Sequence, residues 1–201
     1  MKSNPTRNGT KTLVAVALTL ANLSCLALDR NWSGGPASYT NAANWTGGVV
    51  PGAADVAINN NGTNNPVQIN VGNPDWTIGA IQAGGAGSGA FQQNGQQVSI
   101  LPGLRTIRLG TAAADTGVYT LNDGTLSYTN GMFAVGEIGT GILNVNGGNL
   151  TGNGVLAINA GDSQATANAT MDGGFEKTGH TWFAQGFYTP DPTIGLPPEG
   201  S

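Results

Sequence analysis

Apolar and polar residues alternate along much of this chain with a period of two. In Tyr119-Thr-Leu-Asn122 and Leu143-Asn-Val-Asn146 the apolar side chains fall on one face of an extended strand and the polar ones on the other. Each run ends at an Asn-Gly or Asp-Gly corner, and a second short strand follows. The copies read Gly117-Val-Tyr-Thr-Leu-Asn-Asp-Gly-Thr-Leu126 and Gly141-Ile-Leu-Asn-Val-Asn-Gly-Gly-Asn-Leu150, with a looser third, Ala167-Asn-Ala-Thr-Met-Asp-Gly-Gly-Phe175. The corner glycines Gly124, Gly148 and Gly174 superimpose at offsets of 24 and 26 residues. Leu121, Val145 and Met171 stand three residues before them, and Leu126, Leu150 and Phe175 follow. A further apolar run closes each unit: Met132-Phe-Ala-Val-Gly136, Val155-Leu-Ala-Ile158 and Trp182-Phe-Ala-Gln-Gly186. In both parts the first and third units lie 50 residues apart.

A fixed period of this length is the signature of a solenoid. Helical repeats do not fit, because glycine interrupts every copy and no apolar pattern at three, four and seven persists. Gly and Asn suit the corners because they tolerate positive φ. The pattern therefore predicts coils of two or three strands, stacked so that each coil buries the apolar face of the next. Antiparallel hairpins in a sandwich are the competing arrangement, since Asn-Gly between strands is also a hairpin signal; the recurrence in phase favours the solenoid.

The run Leu121-Asn-Asp-Gly-Thr-Leu126, continued by Phe133-Ala-Val-Gly-Glu-Ile-Gly-Thr-Gly-Ile-Leu-Asn-Val-Asn-Gly-Gly-Asn-Leu150, resembles the repeats of autotransporter-type and PEP-CTERM-associated bacterial surface proteins. Asn44-Trp-Thr-Gly-Gly-Val-Val-Pro-Gly-Ala-Ala-Asp55 is similar to the segment that often opens such passengers. The resemblance covers roughly residues 30–186. It implies an all-β fold, a right-handed parallel β-helix, exported to the cell surface. It carries over no catalytic residue.

Four segments follow. Residues 1–27 read as a signal peptide, with Lys2, Arg7 and Lys11 as a basic start and Leu13-Val-Ala-Val-Ala-Leu-Thr-Leu20 as a short apolar run. Cys25-Leu-Ala27 places small residues ahead of a cleavage site after Ala27; lipidation at Cys25 is the rival, and Asn22-Leu-Ser-Cys25 matches it poorly. Residues 28–80 read as an N-terminal capping region with the first coils, and residues 81–187 as the solenoid repeats. Residues 188–201 read as a proline-rich tail or linker, since Pro190, Pro192, Pro197 and Pro198 cannot donate into a ladder. Whether Ser201 is a natural end, and what anchor or translocator accompanies the chain, the sequence leaves open.

Composition agrees with a patterned β protein: 33 of 201 residues are glycine and only 9% are charged. Without residues 1–27 the chain holds four Lys/Arg against eleven Asp/Glu, a net charge of −7. That balance argues against nucleic acid and anionic membrane surfaces as partners. The single cysteine lies in the leader, so the mature chain has no thiol chemistry. Its partners are expected to be a surface polysaccharide, or other copies meeting at the open end of the solenoid, and no membrane span is expected in the mature chain.

Candidate chemistry is sparse. Trp32, Trp45 and Trp76, with Tyr39, make an aromatic-rich opening that either caps the first coil or offers a sugar-stacking platform; capping is favoured because sheet edges must be covered. Asp55 reads as closing the turn after Pro51-Gly52. Ala83-Gly-Gly-Ala-Gly-Ser-Gly89 reads as a flexible turn, not a phosphate loop. Arg105 and Arg108, three apart on a strand, point to opposite faces, so they cannot both join one flat site; at most one is a solvated ligand contact, and the plain structural reading is favoured. Asp115, Asp123, Glu137, Asp162, Asp172 and Glu176 are scattered singly. Stacking sets Asp123 and Asp172 two coils, ~10 Å, apart with Asn146 between them, too far to share an ion. A polysaccharide lyase or hydrolase would need such carboxylates gathered with a base; Glu176, Lys177, His180 and Trp182 are the best cluster on offer. The expectation is a structural or adhesive solenoid of ~6–7 coils, not an enzyme, with no cofactor and no metal site. A carbohydrate-binding module is the alternative.

Overall fold

In the computed structural model the chain is an all-β solenoid. The structure describes residues 27–103, 106–158, 166–171, 174–177 and 181–183. The leader to residue 26, Arg105, Asp162, Asp172, His180 and the tail lie outside the described residues.

Sixteen strands follow in order: β1 Asp29–Asn31, β2 Ala37–Ser38, β3 Val56–Asn59, β4 Val67–Ile69, β5 Trp76–Ile78, β6 Ala80–Ala83, β7 Gly89–Ile100, β8 Ile107–Leu109, β9 Thr116–Tyr128, β10 Met132–Val135, β11 Thr140–Val145, β12 Asn149–Gly152, β13 Val155–Ile158, β14 Thr166–Met171, β15 Gly174–Lys177 and β16 Thr181–Phe183. The only helical element among the described residues is a 3₁₀ turn, Ala42–Asn44. One sheet runs β1-β3-β6-β8-β10-β13-β16. A second runs β2-β4-β7-β9-β11-β14, and a third side is formed by β5, the ends of β7 and β9, then β12 and β15. β7 and β9 are long because each turns a corner and serves two sides.

Every pair of named strands is parallel, which excludes the hairpin sandwich; among the described residues the sole antiparallel bridge joins Trp32 to Trp45. Five coils have all three strands, fewer than the ~6–7 expected from repeat length, with partial coils at both ends of the described chain.

Alternation puts one residue of every two inside. Ala57, Ile81, Ile107, Phe133 and Leu156 stack as one buried column of the first sheet. Val67, Phe91, Tyr119 and Leu143 form a column of the second sheet, and Trp76, Val98, Leu126 and Leu150 one of the third side. Each large side chain so buried contributes about 1.5–3 kcal/mol, but only when the next coil is in register.

The repeat alignment holds along the strands and slips at one corner. Leu121, Val145 and Met171 pair as aligned, as do Leu126, Leu150 and Phe175. Gly124 lies level with Gly148, but Gly174 pairs with Asn149, the residue after the corner. The closing run slips too: Trp182 sits opposite Ala157, which is opposite Ala134, so the spacing there is 48 residues and not 50. Corners absorb insertions and deletions that strands cannot, because a one-residue slip in a strand would turn its apolar face outward.

Gly124 and Gly148 have φ of +86° and +67°. A Cβ at Gly124 would strike the Gln96 carbonyl oxygen, and one at Gly148 that of Gly124. The glycine-rich segment after Ala83 is held, contrary to the flexible turn expected: Asn60 Oδ1 accepts from the Gly85 amide and Asp115 Oδ2 from the Gly87 amide, both at 2.8 Å. Gly79 forms the corner between β5 and β6.

Polar groups inside the core are mostly paired. Tyr119 donates its hydroxyl to Gln93 Oε1 at 2.8 Å, and Gln93 Nε2 donates to the Gln96 and Thr125 carbonyls. Tyr128 is equally buried, yet its hydroxyl has no hydrogen-bond partner among the described residues. Burial pushes both phenols far above the ordinary tyrosine value.

Three outcomes are expected in chemical denaturation. Gly124→Ala should cost about 1–3 kcal/mol, through positive φ and the Gln96 carbonyl. Tyr119→Phe should cost about 1–3 kcal/mol by orphaning Gln93 Oε1, whereas Tyr128→Phe should be neutral or stabilising.

Candidate interaction surface

The outward half of the same alternation builds the surface. On the second sheet Ser38, Gln68, Gln92, Thr120 and Asn144 stand in register, one per coil, with Thr170 next in the ladder. On the third side Thr77, Ser99, Ser127 and Thr151 do the same. Successive members are spaced by the ~4.8 Å of a parallel ladder. None of these residues carries a charge, and those on β2, β4, β5, β7, β9, β11 and β12 are partly or fully open to solvent.

Between these two sides the corner is an asparagine ladder. Asn94 Nδ2 donates to Asn70 Oδ1 at 2.9 Å, Asn122 Nδ2 to Asn94 Oδ1 at 2.8 Å, and Asn146 Nδ2 to Asn122 Oδ1 at 2.9 Å. The expected Asp123–Asn146–Asp172 edge is therefore corrected for its described members. Asn146 stacks on Asn122, and Asp123 bonds the following Gly124 amide, as corner chemistry requires. The β9–β11 register, with Leu121 opposite Val145, sets Asn146 level with Asn122 and not with Asp123.

Trp32, Trp45 and Trp76 are only 2–3% exposed, so they cannot present the open faces that a sugar-stacking platform needs. They are packed together with Tyr39: Trp32 lies edge-on to Trp45 at 4.9 Å, and Tyr39 stacks on Trp76 at 4.5 Å. Trp45 Nε1 donates to the Tyr39 carbonyl and Trp76 Nε1 to the Pro51 carbonyl, so these two polar edges are paired inside. The segment around Trp45 runs back along the free edge of β1, with Ser33 donating to Asn44 and Thr46 to Asn31 through their backbones. This covers a sheet edge that would otherwise template pairing with another chain.

Asp55 closes its turn as expected, accepting from the Gly52 amide at 2.9 Å. The same carboxylate accepts from the Leu28 nitrogen at 3.3 Å, and Arg30 Nε lies 3.7 Å from it. Arg108 does not read as merely solvated: its guanidinium grips Glu137 through two bonds of 2.6 and 3.1 Å and donates to Gln82 Oε1 at 3.2 Å. Glu137 is buried, and its partner stands 29 residues earlier, a separation that no local pattern flags. The Glu176–Lys177–His180–Trp182 cluster is described only for the strand positions of Glu176 and Lys177 on β15 and Trp182 on β16. Among the described residues no three or more His, Cys, Asp or Glu gather as metal ligands, and no helix is long and apolar enough to cross a membrane.

Trp45→Ala is expected to loosen the first coils by about 3–5 kcal/mol. Tryptophan fluorescence should then report melting of the N-terminal end at lower denaturant than the rest.

No family model, no curated protein and no solved structure matches this chain, so the reading of its role rests on the molecule itself.

Proposed function

We propose that the chain is an exported bacterial surface rod, passenger-like, with a structural and adhesive role. The leader-like residues 1–27 and the repeat resemblance support export and surface display. The observation that carries the adhesive part is the pair of in-register, uncharged columns: Gln68-Gln92-Thr120-Asn144 and Thr77-Ser99-Ser127-Thr151. Amides and hydroxyls both donate and accept, so a rigid row of them complements a neutral, hydroxyl-rich polymer lying along the rod. Each contact is weak, about 0.5–1.5 kcal/mol, and affinity accumulates through the number of coils engaged. The net negative charge of the mature chain disfavours acidic glycans and nucleic acids as that polymer.

Retention of the leaderless chain on immobilised neutral polysaccharides tests this. The double variant Gln92→Ala, Thr120→Ala should bind about tenfold more weakly, the loss of one or two such bonds, with unchanged stability. Equal retention of variant and parent would remove the face from the proposal. Shortened polysaccharide accumulating on long incubation would replace the adhesive role with a lyase or hydrolase.

A further inference from the structure

We infer that removal of the leader after Ala27 creates a structural ion pair, in which the new α-ammonium group of Leu28 seats on the Asp55 carboxylate and fastens the N-terminal edge of the solenoid. The inference rests on the leader reading above and adds a consequence that cleavage alone does not require. Two independent observations meet at one atom. The leader pattern places the scissile bond between Ala27 and Leu28. The fold places the Leu28 nitrogen 3.3 Å from Asp55 Oδ1.

The surroundings suit a cation there. Asp55 is 7% exposed, and its second oxygen is committed to the Gly52 amide. Leu28 is held from its other end, since its carbonyl accepts from the Val56 amide at 3.0 Å. The nitrogen is thus placed beside the first rung of the β1–β3 ladder. Leu28 itself is 46% exposed. The charged groups on the elements packed against it are Asp29 and Arg30 on β1 and Asp55 ahead of β3. Arg30 Nε stands 3.7 Å from Asp55 Oδ2, so the carboxylate lies between two cations once the leader is gone.

Hydrolysis by a leader peptidase adds one water across the Ala27–Leu28 amide. Ala27 leaves as a carboxylate, and the Leu28 nitrogen gains the protons that make it an ammonium. A single amide donor becomes a charged group with three, and a charge-assisted bond replaces a neutral one. The rung that begins the solenoid is therefore completed by processing: β1 is tied more firmly to β3 after cleavage than before it.

The decisive comparison uses the chain released from a fusion so that Leu28 is its first residue, against the same chain acetylated at that nitrogen. Near pH 6 the free amine should unfold about 1–3 °C higher, the size of a partly exposed pair in a chain this long. A partnered amine has a folded pKa above the ordinary 7.7–8.0, so the gap is full below that value and lost as pH rises through the folded pKa. Asp55→Asn should abolish the gap. Equal melting at pH 6, or a gap that survives in Asp55→Asn, would overturn the inference. If Asp55→Asn does not fold, NMR titration of the ¹⁵N-labelled Leu28 amine in the parent chain decides: a pKa at or below about 8 overturns it. The mass of the exported native chain tests the leader reading separately, since a start other than Leu28 would refute the cleavage site without touching the made-to-length comparison.

Discussion

One coil of this chain cannot bury its own apolar residues. Three short strands around a triangle expose their inward side chains above and below, so each coil is stable only beneath and upon its neighbours. Register between coils is therefore the constraint on which everything else depends. The parallel ladders set it, and the Asn70-Asn94-Asn122-Asn146 ladder repeats the demand at a corner, where strand pairing is interrupted by a bulge. An asparagine amide can donate to the coil on one side and accept from the coil on the other, which makes a stacked row self-satisfying.

The ends of such a rod are its weak points, and the N-terminal end is heavily built. Four aromatic rings, those of Trp32, Tyr39, Trp45 and Trp76, pack together in the core there. The Trp45 segment covers the free edge of β1, and Arg30 occupies the ladder position above Ala57 while its Nη1 reaches the Thr46 carbonyl. The aromatic residues that the sequence offered either as a cap, the favoured reading, or as a sugar-stacking platform are spent on this closure. The polar work of the molecule lies instead on its flat sides, where the alternation that fills the core also sets uncharged side chains outward in rows.

Much of this was legible in the sequence because the controlling signals are local. Period-two alternation, Gly124 and Gly148 at their corners, and the pairing of Leu121 with Val145 and Leu126 with Leu150 all follow from short runs of residues. Contacts between coils were harder to see. Arg108 and Glu137 are 29 residues apart, a separation that matches neither offset read from the glycines, and Tyr119 and Gln93, 26 apart, join a core tyrosine to a glutamine of a coil outside the three copies. Variable corners add or remove a residue, so partners across coils drift out of any fixed period, as Gly174 and Trp182 show.

The sequence by itself determined that the chain is built of short strands and sharp corners, and the recurrence of glycine, asparagine and alternating apolar residues in phase favoured stacked coils over hairpins. Only the tertiary structure decided which way the exceptional residues went. Whether three tryptophans face water or the core depends on the path of residues 39–55 over the first coil, and that path is set by packing rather than by neighbours in the chain. Likewise the row in which each Asn, Gln or Thr stands depends on every corner before it, because register is a cumulative property of the whole stack.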